Sequence, residues 1–484
     1  MAKLADILFG VTLHQFVGDR DMEISGIAFD SRRVGKGFLF VAVPGLQVDG
    51  HDYISQAIEK GAVAVLCERF PEKTGEVAFI QTDNSSRALG IAASNFYDHP
   101  SKKLKLVGVT GTNGKTTTAT LLFELFESLG YKSGLISTVE NKVSKKVLDT
   151  KYTTPDTIQL NELLIEMLEA GCSHVFMEVS SHALAQNRVA GVDFTGAVFT
   201  NISHDHLDYH GTFDAYIEAK KILFDGLSSD AFALVNVDDK RGRIMTQNTK
   251  GDINTFSVKA IADFNARLIH NTLQGLELAI DGFNVWFKLI GAFNAYNVLA
   301  VYGAAVLLGE EKQEVLQHLS KLSAARGRFE YVNNVAKVLA IVDYAHTPDA
   351  LDNVLKTIDE LRTKNEQLIT VVGCGGDRDK DKRPKMAGIA FNYSDKVILT
   401  SDNPRTEDPE KILDDMFAGV PKSGQRNVMR ITDRKEAIRT ACSMSGEEDI
   451  ILVAGKGHET YQEVNGVRHH FDDKEILNQI LNDK

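Results

Sequence analysis

Leu104-Lys-Leu-Val-Gly-Val-Thr-Gly-Thr-Asn-Gly-Lys-Thr-Thr117 decides how this chain is read: the apolar, strand-like run Leu104–Val109 feeds a glycine-rich turn that opens into the helical pattern Thr116–Leu129. A strand, a glycine turn and a helix start in that order aim backbone N–H groups and the positive end of a helix dipole at one point, where phosphate oxygens are held. Lys115 supplies a mobile cation for the outer phosphates, and Thr116 a hydroxyl for Mg²⁺. Gly111, Thr112, Asn113, Gly114, Lys115, Thr116 and Thr117 are therefore read as the binding loop of a nucleoside triphosphate. The loop departs from the strict G-x-x-x-x-G-K-[ST] pattern, because position 109 is Val109 and the glycines fall at 108, 111 and 114.

Working outward, 484 residues suffice for roughly three domains of ~150 residues, each with its own core. The polar stretch Tyr97-Asp-His-Pro-Ser-Lys-Lys103 sets the first boundary, and Ser323-Ala-Ala-Arg-Gly-Arg328 the second. The expected domains are 1–101, 102–326 and 327–484. In the first, short apolar runs alternate with turns (Ile24–Phe29, Gly37–Val43, Ala62–Cys67), as in a small α/β module. In the second, Leu104–Val109, His174–Val179, Ala197–Thr200 and Ala231–Val237 alternate with helical patterns such as Ile158–Ala170 and Tyr216–Phe224, which implies a largely parallel sheet covered by helices. In the third, the runs Val338–Val342, Leu368–Val372, Lys396–Thr400 and Ile450–Ala454 each end in a polar loop marked by glycine or proline. Open parallel sheets bind ligands at the carboxyl ends of their strands, so these four loops are expected to meet in one crevice.

The net charge of −12 argues against a broad nucleic-acid surface or a polybasic membrane contact. No run approaches the ~18 apolar residues needed to cross a bilayer, and Met1–Asp6 begins no signal-peptide pattern. Cys67, Cys172, Cys374 and Cys442 stand far apart without C-x-x-C spacing, as reduced cysteines do. The expected compartment is the cytoplasm.

A second chemical cluster follows two strand patterns of the middle domain, in Glu178-Val-Ser-Ser-His182 and Asn201-Ile-Ser-His-Asp-His-Leu-Asp-Tyr-His210. Glu178 and His206 are oxygen and nitrogen donors suited to a divalent cation beside substrate phosphate. The histidines at 182 and 204–210 leave zinc open as an alternative, although fixed zinc spacings are missing and the neighbouring phosphate loop favours Mg²⁺.

With these residues in view, Gly111–Thr117 resembles the nucleotide loop shared by the Mur ligases and the folylpolyglutamate synthases, which departs from a strict P-loop in the same way. The rest of the chain is similar to the Mur ligase branch that adds the third amino acid to a peptidoglycan precursor. Asp30-Ser-Arg32 and Gly45-Leu-Gln-Val-Asp-Gly50 carry the likeness in the first domain. Thr153-Thr-Pro-Asp156, Glu178–His182 with Arg188, and Asp205-His-Leu-Asp208 carry it in the second. Asp343-Tyr-Ala-His-Thr-Pro-Asp349, Asp402-Asn-Pro-Arg405 and Gly455-Lys-Gly-His-Glu459 carry it in the third. The resemblance implies a small α/β UDP-binding domain, a central parallel-sheet, P-loop-like ATPase domain and a C-terminal Rossmann-like, amino-acid-binding domain.

It also implies an activity. ATP phosphorylates the terminal carboxylate of UDP-N-acetylmuramoyl-L-alanyl-D-glutamate, and an amine then attacks the acyl phosphate. Lys115, Glu178, His206 and Lys220 are the implied catalytic residues. Two Mg²⁺ ions are implied, the first on Thr116 and Glu178 and the second on His206 and on Lys220 as a carbamylated N6-carboxylysine, with Lys221 the alternative if the register slips by one. Ser31, Leu46, Gln47, Val48, Thr153, Thr154, Ser180 and Arg188 fall to the UDP precursor. Asn294, Asn297, Arg328, Asp343, Tyr344 and His346 fall to ATP's base and ribose, although capping and packing also explain two asparagines three apart on a helix.

Arg378, Asp402, Asn403, Pro404, Arg405, Gly455 and Glu459 are left for the incoming amino acid, which the Asp-Asn-Pro-Arg form implies is meso-diaminopimelate. Its second carboxylate suits a bidentate Arg405, whereas L-lysine would bring an ammonium toward that guanidinium. No nucleic acid and no membrane insertion are expected, and the chain is expected to act as a monomer. An L-lysine-adding relative, a folylpolyglutamate synthase-like ligase and a non-catalytic nucleotide-binding protein are the alternatives.

Overall fold

The computed structural model describes the chain except residues 46–47, 71–76, 149, 151, 204, 333, 364 and 484, and the side chain of Asp208. It divides into two compact units, one of Met1–Asn265 with Asn297–His318, the other of Ala266–Tyr296 with Leu319–Lys484.

Among the described residues the first unit holds two main sheets and a short antiparallel pair, Ala2–Lys3 with Glu23–Ile24. In the smaller, the spatial order is Gln15–Val17, Ala78–Gln81, Ala62–Cys67, Phe38–Val41, Gly26–Ala28, all parallel except the first pair. Ser31 and the loop after Val41 therefore follow the carboxyl ends of neighbouring parallel strands. The helix Ser85–Phe96 starts where Asn84 accepts a bond from Arg87 N at 2.8 Å, and it buries Ala88, Leu89, Ala92 and Ala93.

In the larger sheet the order is Lys146–Leu148, Asn141–Val143, Ser133–Ile136, His174–Glu178, Lys105–Thr110, Gly196–Phe199, Phe232–Asn236, Asp252–Ser257. From Ser133–Ile136 onward all strands run parallel. Burial on both faces explains why these strands are apolar runs and not alternating patterns. Their carboxyl ends line up, which puts Ser137-Thr138, Val179-Ser180, Gly111–Gly114 and Thr200-Asn201 along one edge. The helix Thr157–Glu169 starts at Asp156, whose carboxylate accepts from Ile158 N and Gln159 N at 3.0 Å each, a cap worth ~1 kcal/mol.

The second unit contains an antiparallel meander, from the strand Phe264–Thr272, which begins in the first unit, through Gly275–Ile280 to Phe283–Phe287. Its main sheet has the order Glu330–Val332, Leu339–Asp343, Ile450–Ala454, Leu368–Cys374, Lys396–Ser401, Val428–Arg430. Only the first pair is antiparallel. The four strands expected to end in a common crevice are thus consecutive neighbours. A backbone bond from Gly455 N to Asp343 O at 3.1 Å ties two of their ends together.

Candidate active site

Lys115 opens the helix Lys115–Ser128, with Gly114 before it in the left-handed conformation at φ 86°. A Cβ at Gly114 would lie 2.5 Å from Asn297 Oδ1, so the approach of that asparagine requires glycine. Lys115 Nζ donates to Gly111 O at 2.9 Å and Thr112 O at 2.8 Å. Thr116 and Thr117 are buried in the first turn. The loop is also held from the neighbouring strand end, since Asn113 N donates to Asn201 Oδ1 at 3.0 Å and Thr200 Oγ1 to Asn113 O at 2.6 Å.

Glu178 ends its strand with its side chain fully buried. It accepts bonds from Thr138 N at 2.8 Å and Thr138 Oγ1 at 3.2 Å, and Thr138 Oγ1 also bonds Thr153 Oγ1 at 3.0 Å. Thr154 Oγ1 donates to Glu178 O at 2.8 Å and accepts from Ser180 N at 3.1 Å, while Arg188 Nη1 donates to Thr154 O at 3.0 Å. Thr153, Thr154, Glu178, Ser180 and Arg188 therefore form one hydrogen-bonded group. Thr138, which joins two of them, is a residue that the sequence pattern alone did not single out. Its only signal there was its place just past the strand Ser133–Ile136.

Of the two adjacent lysines on the helix Phe213–Asp225, Lys221 pairs with Asp225 at 2.7 Å, whereas Lys220 donates to Gly111 O at 2.8 Å. Lys220 is wholly buried, and burial together with the nearby Lys115 charge pushes its ammonium well below the usual lysine range, against the pull of Asp205. Tyr216, a second residue with no role assigned from sequence, places its ring 4.6 Å from Lys220 Nζ and its hydroxyl 3.1 Å from Thr112 Oγ1. The His206 ring lies 4.8 Å from that of His182 and 6.2 Å from that of Tyr216. Its backbone is left-handed at φ 53°, an uncommon state that clusters at functional sites.

Ser31 Oγ bonds Gln56 Oε1 at 2.7 Å. Val48 is exposed. Leu46 and Gln47 lie outside the described residues, as does His204.

In the second unit, Asp343 takes Phe329 N at 2.6 Å and Ala345 N at 2.7 Å, which fixes the backbone on either side of Arg328 and Tyr344. Burial raises its carboxyl pKa above the usual range even though Arg328 and those two amides oppose the shift. The Arg328 guanidinium lies 4.8 Å from the Tyr344 ring, which packs against His346 at 4.5 Å and His458 at 4.8 Å. Asn294 Nδ2 donates to Ile290 O at 2.7 Å.

The loops after the neighbouring strands do meet. Asn403 Nδ2 donates to Glu459 Oε2 at 2.7 Å, and Lys456 Nζ reaches the same oxygen at 3.0 Å and Asn403 Oδ1 at 3.1 Å. Lys456, fully buried and unassigned from the sequence, also lies 3.7 Å from Asp402. Burial would raise the Asp402 carboxyl, but Lys456 and Arg434 outweigh it and hold the group below the usual range. Gly455 is required here, at φ 115° with a Cβ position 2.7 Å from Asp402 Oδ2. Arg405 Nη1 donates to Gly376 O at 2.7 Å. Pro404 O accepts from Glu407 N at 3.0 Å, and Arg378 is exposed on the adjoining glycine loop.

Among the described residues no three His, Cys, Asp or Glu side chains gather as a metal site. Mg²⁺ needs fewer protein ligands, since it keeps waters and takes substrate phosphate oxygens beside one or two carboxylates. The hydroxyl of Thr116 and the carboxylate of Glu178 fit that chemistry, whereas Lys220 fits only once its ammonium has been replaced by an anion.

A glycine-loop phosphate site on a parallel sheet, with a Rossmann-like unit carrying a second cluster of charged loops, defines a nucleoside-triphosphate-dependent α/β enzyme. Residues 23–97 match the family profile described as Mur ligase family, catalytic domain; residues 109–305 match the Mur ligase middle domain; residues 327–457 match the Mur ligase, glutamate ligase domain. The chain belongs to the Mur ligase family. It is 57% identical over 481 residues, 99% of each chain, to the UDP-N-acetylmuramoyl-L-alanyl-D-glutamate-2,6-diaminopimelate ligase of Cytophaga hutchinsonii, and 53% identical over 480 residues, again 99% of each, to the enzyme of that name from Phocaeicola vulgatus. A solved structure of a ligase of the same name superposes with a TM-score of 0.71 at 35% identity, covering 99% of this chain and 98% of that one. No helix among the described residues is long and apolar enough to cross a membrane.

Proposed function

We propose that this chain is the ATP-dependent ligase that joins meso-diaminopimelate to UDP-N-acetylmuramoyl-L-alanyl-D-glutamate, in cytoplasmic peptidoglycan-precursor synthesis, and that it acts as a monomer of three domains bounded at 101 and 326. The observation that carries the reading is the pairing of charges at neighbouring strand ends. Arg405 is a fork for a carboxylate, and Glu459, oriented by Asn403 and Lys456, is an anion for an ammonium. Diaminopimelate carries both groups at its far end, and lysine only the ammonium.

The reaction then follows from the first unit's chemistry. The precursor's carboxylate attacks the γ-phosphorus of ATP, giving an acyl phosphate and ADP. The neutral amine attacks the acyl carbon, and the tetrahedral intermediate expels phosphate to leave the amide. Both steps concentrate negative charge, which Lys115 and the amides of Gly111–Thr117 stabilise. Two Mg²⁺ ions, held by Thr116 with Glu178 and by His206 with a carbamylated Lys220, would supply further charge neutralisation at the phosphoryl oxygens. Lys220 suits carbamylation because burial favours its neutral amine, whose lone pair adds to the carbon of CO₂ with loss of one proton. Arg188, Thr153, Thr154 and Ser180 hold the peptide part of the precursor; Ser31 and the 46–48 loop hold the uridine; Asn294, Asn297, Arg328, Asp343, Tyr344 and His346 hold the nucleotide of ATP.

The test is precursor-dependent release of ADP with diaminopimelate and L-lysine in parallel, alongside the intact mass of the active protein. Turnover with diaminopimelate, its loss in Lys115→Ala, and a mass increment of one CO₂ that Lys220→Met abolishes are expected. Equal or better efficiency with lysine would overturn the substrate assignment.

A further inference from the structure

Arg405 is held in a backbone state that arginine seldom adopts, at φ 52°. Such a state persists only where the surroundings over-determine it. Here they do. Arg405 N donates to Glu463 O at 3.1 Å, and Arg405 O accepts from Asn465 N at 2.8 Å, so both backbone groups of the residue are taken up by one neighbouring element.

That element is the hairpin Tyr461–Val464 with Val467–His470. Val464 pairs with Val467 across a two-residue loop, Asn465-Gly466, whose φ angles of 49° and 78° are those of a type I′ turn. The hairpin makes two further bonds to the same loop. Gln462 Nε2 donates to Asp402 O at 2.7 Å, and Glu463 N donates to Asn403 Oδ1 at 2.9 Å. Asn403 is the residue whose amide nitrogen orients Glu459. The hairpin thus grips both ends of Asp402–Arg405 and reaches both charges of the amino-acid site, while its second strand is exposed to solvent.

We infer that the hairpin Tyr461–His470 is the element that sets amino-acid specificity, by locking Arg405 and Asn403 in the geometry that recognises the distal carboxylate and ammonium of diaminopimelate, with Gln462 as its positioning residue. This rests on the substrate assigned above. Gln462 touches no reacting atom and acts through the carbonyl of Asp402. Loosening the grip lets Arg405 leave the left-handed state, which weakens recognition of the second carboxylate and leaves the chemistry at the phosphate loop intact.

The test is steady-state kinetics of Gln462→Met, which removes the donor at nearly constant length, and of Gly466→Ala, which strains the turn where an added Cβ meets nothing within 4 Å. For Gln462→Met we expect KM for diaminopimelate to rise about tenfold and the diaminopimelate-to-lysine efficiency ratio to fall by about the same factor. The KM values for ATP and precursor, and kcat at saturating diaminopimelate, should stay within about twofold. Gly466→Ala should shift the same ratio in the same direction by about threefold. Gln462→Lys, which keeps a donor, should restore most of the ratio. If the wild type turns over diaminopimelate and either variant, with a wild-type melting curve, keeps the wild-type ratio, the inference fails. A wild type that does not use diaminopimelate instead refutes the substrate assignment.

Discussion

Arg405 combines a charge proposed to bind the substrate with an unfavourable backbone, and the two can be separated by substitution. Glycine adopts φ 52° at no steric cost, whereas alanine keeps the strain and loses the guanidinium. Arg405→Gly should therefore be more stable than Arg405→Ala by about 1 kcal/mol, the reverse of their order in a helix, and both should lose at least ~100-fold in efficiency with diaminopimelate. Thermal melts of the pair decide it, and an alanine variant as stable as the glycine variant would remove the strain argument. His206, at φ 53°, belongs to the same class of residue. The placement of the phosphate-loop residues was legible because the loop is contiguous in sequence. Thr138 was not, since its partner Glu178 lies 40 positions away and only the parallel pairing of their strands brings them together. Tyr216 and Lys456 were hidden differently, inside motifs whose other members drew the assignment.

At the scale of elements, the rule that ligands gather at carboxyl strand ends anticipated the meeting of the third-domain loops, and the structure supplies what fastens them. Arg383, fully buried, donates to Glu407 at 2.8 and 3.1 Å and to Asp415 at 2.8 Å, and Glu407 also accepts from Asp377 N at 2.6 Å. One carboxylate so links the glycine loop, the helix Lys382–Tyr393 and the segment that follows Arg405. Its bond to Arg383, with that of the Asp377 amide, lowers the Glu407 pKa from 4.5 to about 2. Because the folded pKa lies below the unfolded one, the stabilisation is complete above ~4.5 and is lost as pH falls toward ~2. Melting temperatures recorded across that range should show an acid limb that Glu407→Gln flattens; an unchanged limb would assign acid sensitivity to other carboxylates. The hairpin Tyr461–His470 was less legible. Asn465-Gly466 is a recognisable hairpin signal, but nothing local indicates that its strand grips a loop some 60 residues upstream.

At the scale of the molecule, the alternation of apolar runs and helical patterns sufficed for parallel α/β sheets, while the grouping of segments into compact units was beyond it. Ala266–Tyr296 folds with Leu319–Lys484 although Asn297–His318 separates them in sequence. Ile290 belongs to the same core as Phe329, Ile341 and Leu351, and Tyr331 donates its hydroxyl to Leu273 O at 2.8 Å. A fragment of residues 319–484 should therefore melt with less cooperativity than one that carries 266–296 joined through a flexible linker, a contrast that circular dichroism reads directly. Equal melts would show the meander to be dispensable.

The grip of the hairpin on Asp402–Arg405 has a consequence for heredity. If the hairpin sets amino-acid specificity as inferred above, two stretches 60 codons apart in the gene are expected to be selected as a single unit. A recombination event with its breakpoint between them would import a new specificity loop without the strand that shapes it, and the hybrid would recognise neither parental amino acid well. Lineages that exchange substrate preference are therefore expected, on that inference, to move both stretches together or alter them in step, so that amino-acid choice travels as a paired cassette and not as a four-residue motif.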